Sequence, residues 1–133
     1  MSDPEHDVTA RLRRAYDAFS RGNFDRAMEI AHPDVEFVPP GGQAPVRGAK
    51  AFRAWMEPDA LEENRIEPRE MRVNGDKVLV RGHAWARGAG SGIELEVDAW
   101  AVWTVDEDGL VTRVEAFLGH QEGDALKAAG LSE

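Results

Sequence analysis

The chain contains no cysteine. That excludes a disulfide framework, a thiolate nucleophile and any cysteine-ligated metal. Four histidines are present, His6, His32, His83 and His120, and no two stand at the spacing of a zinc site. Neither a metal nor a cofactor is expected. Positive charge is scarce: 16 Lys and Arg against 25 Asp and Glu give a net charge of −9. Nucleic acids bind clustered Lys and Arg. The one basic cluster, Arg11, Arg13 and Arg14, is flanked by Asp7 and Asp17, so no nucleic-acid partner is expected. No apolar run approaches the roughly 20 residues that span a bilayer. The N-terminal Met1 to Asp7 is polar and acidic, unlike a secretory leader. The expectation is a cytoplasmic protein with no membrane partner. A glycine run, Gly88 to Gly92, leads into a strand pattern, whereas a phosphate cradle leads into a helix. Ser20, Ser91 and Ser132 lack the context of a catalytic triad.

What is present reads as one domain over 1–133, a length that supports a single core. Ser2 and Glu5 have capping-box spacing, and Val8, Leu12, Ala15, Tyr16 and Phe19 recur at helical intervals. Gly22 is a helix stop, and Asn23 caps a second helix running to His32-Pro33. Val35 and Phe37 mark a short strand. A third helix spans Ala49 to Met56 and is ended by Pro58. From Ile66 the apolar period falls to two. Asn74-Gly75-Asp76 is a hairpin turn between that strand and a long one, Lys77–Arg87. Ile93–Val105 and Leu110–Leu118 continue the meander, and Asp124–Ala129 is a closing helix. Helices followed by antiparallel strands indicate an α+β domain.

Several segments carry a family resemblance. They are Arg21-Gly22-Asn23-Phe24-Asp25, His32-Pro33-Asp34-Val35 and Val46-Arg47-Gly48, together with the stretch from Trp103 through Asp108-Gly109-Leu110-Val111 to Leu131. The chain resembles the SnoaL-like family of the nuclear transport factor 2-like superfamily, which includes ketosteroid isomerases and polyketide cyclases. That resemblance implies a cone-shaped α+β barrel, with three N-terminal helices packed on a strongly curved antiparallel sheet. It also implies a homodimer and a pocket for a small hydrophobic ligand. On the ketosteroid isomerase pattern the helix-one tyrosine falls on Ala15, the general base on Pro39 and the oxyanion-hole acid on Ala101. None of these exchanges a proton. A pocket lined by Ala15, Phe19, Trp55, Ala101 and Trp103 is the resulting expectation.

The long hairpin has two faces. Val78, Val80, Gly82, Ala84 and Ala86 alternate with Leu79, Arg81, His83, Trp85 and Arg87, and Leu95 to Trp103 alternate likewise with Glu94 to Val102. Pairing like with like sets Arg81 near Asp98 and His83 near Glu96. Two readings of the polar face stay open. It is a dimer interface anchored by Trp85, Trp100 and Phe117, because aromatics and arginine are enriched at interfaces. Or it is acid–base equipment, with His83 and Asp98 as candidates and Arg81 and Arg113 holding an anion. Tyr16 is a third catalytic candidate. Strict alternation puts His83 and Asp98 opposite Ala101, and a bulge near Gly82 would reverse this. The function expected is binding of a small molecule in an apolar pocket. The alternatives are a cyclase, isomerase or hydrolase with non-standard acid–base residues, or a dimerisation module without ligand.

Overall fold

The computed structural model describes residues 4–40, 43–56, 61–88 and 90–131. Ser2, Pro58 and Ser132 lie outside them. Helix α1 is Pro4–Ser20. It ends as Gly22 enters the left-handed region at φ 78°. The Gly22 amide donates to the Phe19 carbonyl, and that of Asn23 to Ala18. This is the paired bond pattern that closes a helix on glycine. The Asn23 side chain then accepts from the Arg26 amide and starts α2, Phe24–Ala27. That helix is shorter than the sequence suggests. It passes into a 3-10 turn, Met28–Ile30, so His32 and Pro33 belong to strand β1, Ala31–Val38. Strand β2, Val46–Arg47, and helix α3, Ala49–Met56, follow. Strands β3, Leu61–Asn74, β4, Lys77–Gly88, β5, Glu94–Val105, and β6, Val111–Leu118, form the meander. A 3-10 turn, Gly119–Gln121, leads into α4, Glu122–Ala128.

The sheet order is β2-β1-β6-β5-β4-β3. This corrects two expectations. The sheet is open, with β2 and β3 at its edges, and is neither a cone-shaped barrel nor strongly curved. It is also mixed rather than antiparallel, because β1 pairs with β6 in parallel, Phe37 opposite Val114. No local turn joins β1 to β6. Its direction is set by long-range pairing that hairpin patterns do not encode. Strand β3 begins at Leu61, ahead of the Ile66 start expected from periodicity.

Each face of the sheet is covered by different helices. On one face Leu12 and Tyr16 of α1 pack on Val78 and Val80, with Ile66, Met71 and Trp103 at the margin. The Ser20 hydroxyl donates to the Ile66 carbonyl and accepts from its amide, pinning the end of α1 to β3. Beside it, Val35, Phe37 and Val114 meet Phe52 of α3. On the opposite face α4 lays Ala125, Leu126 and Ala129 on Leu79, Trp100 and Val102. The Asn74 side chain donates to the carbonyls of Ala129 and Gly130, fastening the end of α4 to the β3–β4 hairpin. A Cβ on Gly119 would stand 2.8 Å from the Asp98 carbonyl oxygen. The close crossing of β5 that starts α4 therefore requires glycine.

Candidate functional site

Strands β4 and β5 pair without a register shift from Lys77–Thr104 to Arg87–Glu94. Val80 faces Ala101, and His83 faces Asp98. With side chains alternating and no bulge in this ladder, His83 and Asp98 lie on the α4 face and Ala101 on the α1 face. The register differs from the expected pairing by two residues, which leaves every side chain on its expected face. Arg81 is opposite Trp100, and Trp85 is opposite Glu96.

On the α1 face, Tyr16 is 8% exposed. Its hydroxyl accepts a hydrogen bond from Trp103 Nε1 at 3.0 Å, and the two rings meet edge to face at 5.6 Å. Among the described residues no acceptor takes the tyrosine's own proton. Burial pushes the phenol well above its ordinary pKa, and the Trp103 bond offsets only part of that, so the group is a neutral donor. Ala15 and Phe19 are buried beside it in α1. Ala101 and Trp103 are half-buried on β5. Trp55 is apart from these: it leans on Phe37 with ring centres 4.5 Å apart and is 44% exposed. Pro39 is buried. Beyond the reach of α1 the same sheet face is bare, with Leu95 60% and Val97 55% exposed.

On the α4 face, His83 lies between two carboxylates. Its Nδ1 is 2.7 Å from Asp98 and its Nε2 2.6 Å from Glu96. Two acceptors require both ring nitrogens to donate, so this geometry holds an imidazolium. Asp98 first and Glu96 second raise the His83 pKa, and His83 in turn lowers both carboxyls. A histidine so committed has no lone pair with which to act as a base. Its ring meets Trp85 edge to face at 4.5 Å. The Arg65 and Arg69 guanidiniums lie 5.1 and 5.7 Å from the Trp85 ring centre, a stacking that sequence reasoning missed. Of the two expected anion holders, Arg113 is bonded to Glu36 at 2.7 Å and Glu115 at 3.3 Å, and Arg81 reaches Glu70 at 3.9 Å. Trp100 is covered by the chain's own α4. It is 8% exposed under α4, and its indole donates to the Gly119 carbonyl at 3.1 Å. Phe117 borders that cluster, and both it and Trp85 are half-buried.

Surface clefts among the described residues include the following. One, of about 390 Å³, runs along the hairpin tip past Arg65, Trp85, Arg87, Leu95 and Glu96. The other, of about 230 Å³, lies between α1, α2 and the following turn and is lined by Arg11, Arg14, Ala15, Arg26, Glu29 and Ile30. Ala15 alone of the five expected pocket residues borders either cleft. Among the described residues no group of three His, Cys, Asp or Glu is arranged to hold a metal, and no helix is long and apolar enough to cross a membrane.

A search of curated proteins finds no match. Solved structures do match. SalBIII, an epoxide hydrolase/cyclase-like enzyme with a role in pyran ring formation in the polyether salinomycin, superposes with a TM-score of 0.79 at 19% identity. It covers 90% of this chain and 95% of its own. An NTF2-like protein of unknown function from Burkholderia pseudomallei gives 0.75 at 20% identity, covering 92% and 95%. TerC, crystallised with polyporic acid, gives 0.72 at 23%, covering 93% and 98%. At these identities the likeness is one of fold. A family model for the SnoaL-like domain matches residues 12–114, most of the chain, and the protein therefore belongs to the SnoaL-like family.

Proposed function

We propose that this protein binds a small hydrophobic molecule on the α1 face of its sheet, in a space bounded by Phe19, Ala101 and Trp103, with Tyr16 as the polar anchor; of the other two expected lining residues, Trp55 stands apart against Phe37 and Ala15 borders a different cleft. One observation carries the reading: the buried Tyr16 hydroxyl accepts from Trp103 and has no acceptor for its own proton among the described residues. Buried polar groups ordinarily find partners, and a ligand carbonyl or ether oxygen would complete the set. Small side chains support it. Ala101 is flanked by Val80 and Ala116, and Gly82 by Ala99, on the same face. His83 and Asp98 serve structure in this reading, holding the outer face together. That face, through the half-buried Trp85 and Phe117, with Trp100 taken up by α4, is where two copies would join as a homodimer in the cytoplasm. A chain of net charge −9 gives nucleic acid little to bind.

The test uses 6-propionyl-2-dimethylaminonaphthalene, a neutral fluorophore with one carbonyl. The protein should bind it saturably, and Ala101→Trp should abolish binding while circular dichroism stays unchanged. Undiminished binding by that folded variant would refute the site. A second reading, a hydrolase or cyclase, is favoured by the same neutral phenol, which could donate to an epoxide oxygen as the ring opens. SalBIII, of the same fold, is epoxide hydrolase/cyclase-like. Turnover of styrene oxide that disappears in Tyr16→Phe would select it.

A further inference from the structure

We propose a second binding site, separate from the sheet face, for a small organic anion: one carboxylate or phosphate group on a compact apolar body. It is the cleft of about 230 Å³ between α1, α2 and the turn Met28–Ile30. Arg11 and Arg14 line it from α1, and Arg26 from α2. Among the described residues none of these three makes an ion pair. By contrast Arg21, Arg47, Arg53, Arg69, Arg81 and Arg113 each lie within 3.9 Å of a carboxylate. In a chain with 25 acidic residues to 16 basic ones, three arginines without carboxylate partners border this one cleft; Arg13, Arg65 and Arg72 also lack one among the described residues, but none of them lines it. Their guanidiniums offer forked donors that match a planar or tetrahedral oxyanion.

The rest of the lining narrows the ligand. Ala15 and Ile30 give the cleft an apolar floor, and Ile30 also packs into the core clusters of both α1 and α3. Glu29 stands in the same lining, so a polyanion would meet repulsion where a single oxyanion need not. Two of the arginines have defined neighbours. The Arg11 guanidinium lies against Gly109, where a side chain would collide with it. The Asn23 cap sets the start of α2 and bonds the Arg26 amide itself.

Calorimetric titrations with benzoate, phenyl phosphate and inorganic phosphate test the site. Saturable binding of benzoate or phenyl phosphate is expected, and whichever is tighter identifies the oxyanion. Inorganic phosphate should bind at least about tenfold more weakly, because it forfeits the apolar floor. Arg14→Ala/Arg26→Ala should weaken the preferred probe by about tenfold or more. Both side chains are exposed, and circular dichroism checks that the fold persists. Ala101→Trp should leave this binding intact, which separates it from the pocket on the sheet. No saturable binding of either organic anion, an equal affinity for inorganic phosphate, or an unchanged affinity in the double variant would each overturn the proposal.

Discussion

Replacing Tyr16 with Phe removes one oxygen atom from the core and leaves the rings otherwise in place. The edge-to-face contact with Trp103 at 5.6 Å survives, together with the packing of α1 on Val78 and Val80. What changes is the Trp103 indole N–H, whose acceptor at 3.0 Å is gone. A buried donor left without a partner costs about 1–3 kcal/mol. Because Trp103 is half-buried rather than sealed, the lower half of that range is expected. Urea unfolding should show the loss as a lower midpoint at unchanged slope. In a cycle with Trp103→Phe the double variant should cost less than the two single changes added together, since the second substitution removes the donor that the first had stranded. Tyr16 is also the only tyrosine, so phenolate absorbance near 295 nm reports on it alone. Burial raises its pKa above the ordinary 10.0. The folded state therefore keeps the proton after the unfolded state has lost it, and stability falls as pH rises beyond about 10. Phenolate should appear only together with unfolding. A Tyr16→Phe variant as stable as the parent, or a phenol that titrates near 10 in the folded protein, would refute the reading of this pair.

His83→Gln should alter the pH dependence of stability. The folded pKa of His83 is raised by Asp98 and then Glu96, so its contribution is complete below the unfolded value of about 6.5 and fades as pH climbs through the folded value. Urea midpoints of parent and variant should differ most in mild acid and draw together in alkali; a constant gap from about pH 5 to 9 would count against a charged His83. Gly119→Ala places a Cβ 2.8 Å from the Asp98 carbonyl oxygen, and overpacking of this kind costs about 1–3 kcal/mol. Because the same turn carries α4 over Trp100, tryptophan fluorescence should shift to the red, and an unshifted spectrum at full stability would contradict the close crossing.

Local rules were legible wherever one or two residues suffice. Gly22 and Asn23 end one helix and begin the next as their types dictate. The hairpin at Gly75 follows from a glycine at φ 61°, and α3 runs from Ala49 to Met56 as its apolar spacing requires. Failures came where distant pairing decides. The parallel partnership of β1 with β6 joins segments some eighty residues apart, with no turn to announce it. The open edges follow from it, because β2 ends the sheet beyond β1. The early start of β3 has a similar cause. Leu61 to Arg65 alternate poorly, and their strand state comes from β4, where Leu61 meets Gly88. Strict alternation along β4 and β5, which a bulge at the hairpin's glycines would have undone, is what the unbroken ladder has, and the sheet's register shifts fall in other pairs, among them Pro68–Glu70 and Thr104–Val105. Gly82 is needed for a different reason: a Cβ there would stand 3.1 Å from the Ile66 side chain.

The distribution of polar groups between the two sheet faces follows from that unbroken ladder. Alternation assigned His83 and Asp98 to one face and Ala101 to the other, but alternation alone does not say which face a helix will cover. Both are covered in part. Trp100, read from sequence as an anchor of a dimer interface, is roofed by α4 because Gly119 lets the chain cross β5 closely. The remaining outer face satisfies its charges internally, through His83 with Asp98 and Glu96 and through Arg113 with Glu36. Groups saturated in this way have little capacity left for a substrate. Among the described residues, groups that retain it include Tyr16, with an unclaimed proton, and the three arginines gathered on one cleft, Arg11, Arg14 and Arg26, with no carboxylate. None of these four was reached through a catalytic motif. Unspent hydrogen-bonding and charge capacity appears only when every partner has been counted, which the sequence does not permit and the structure does.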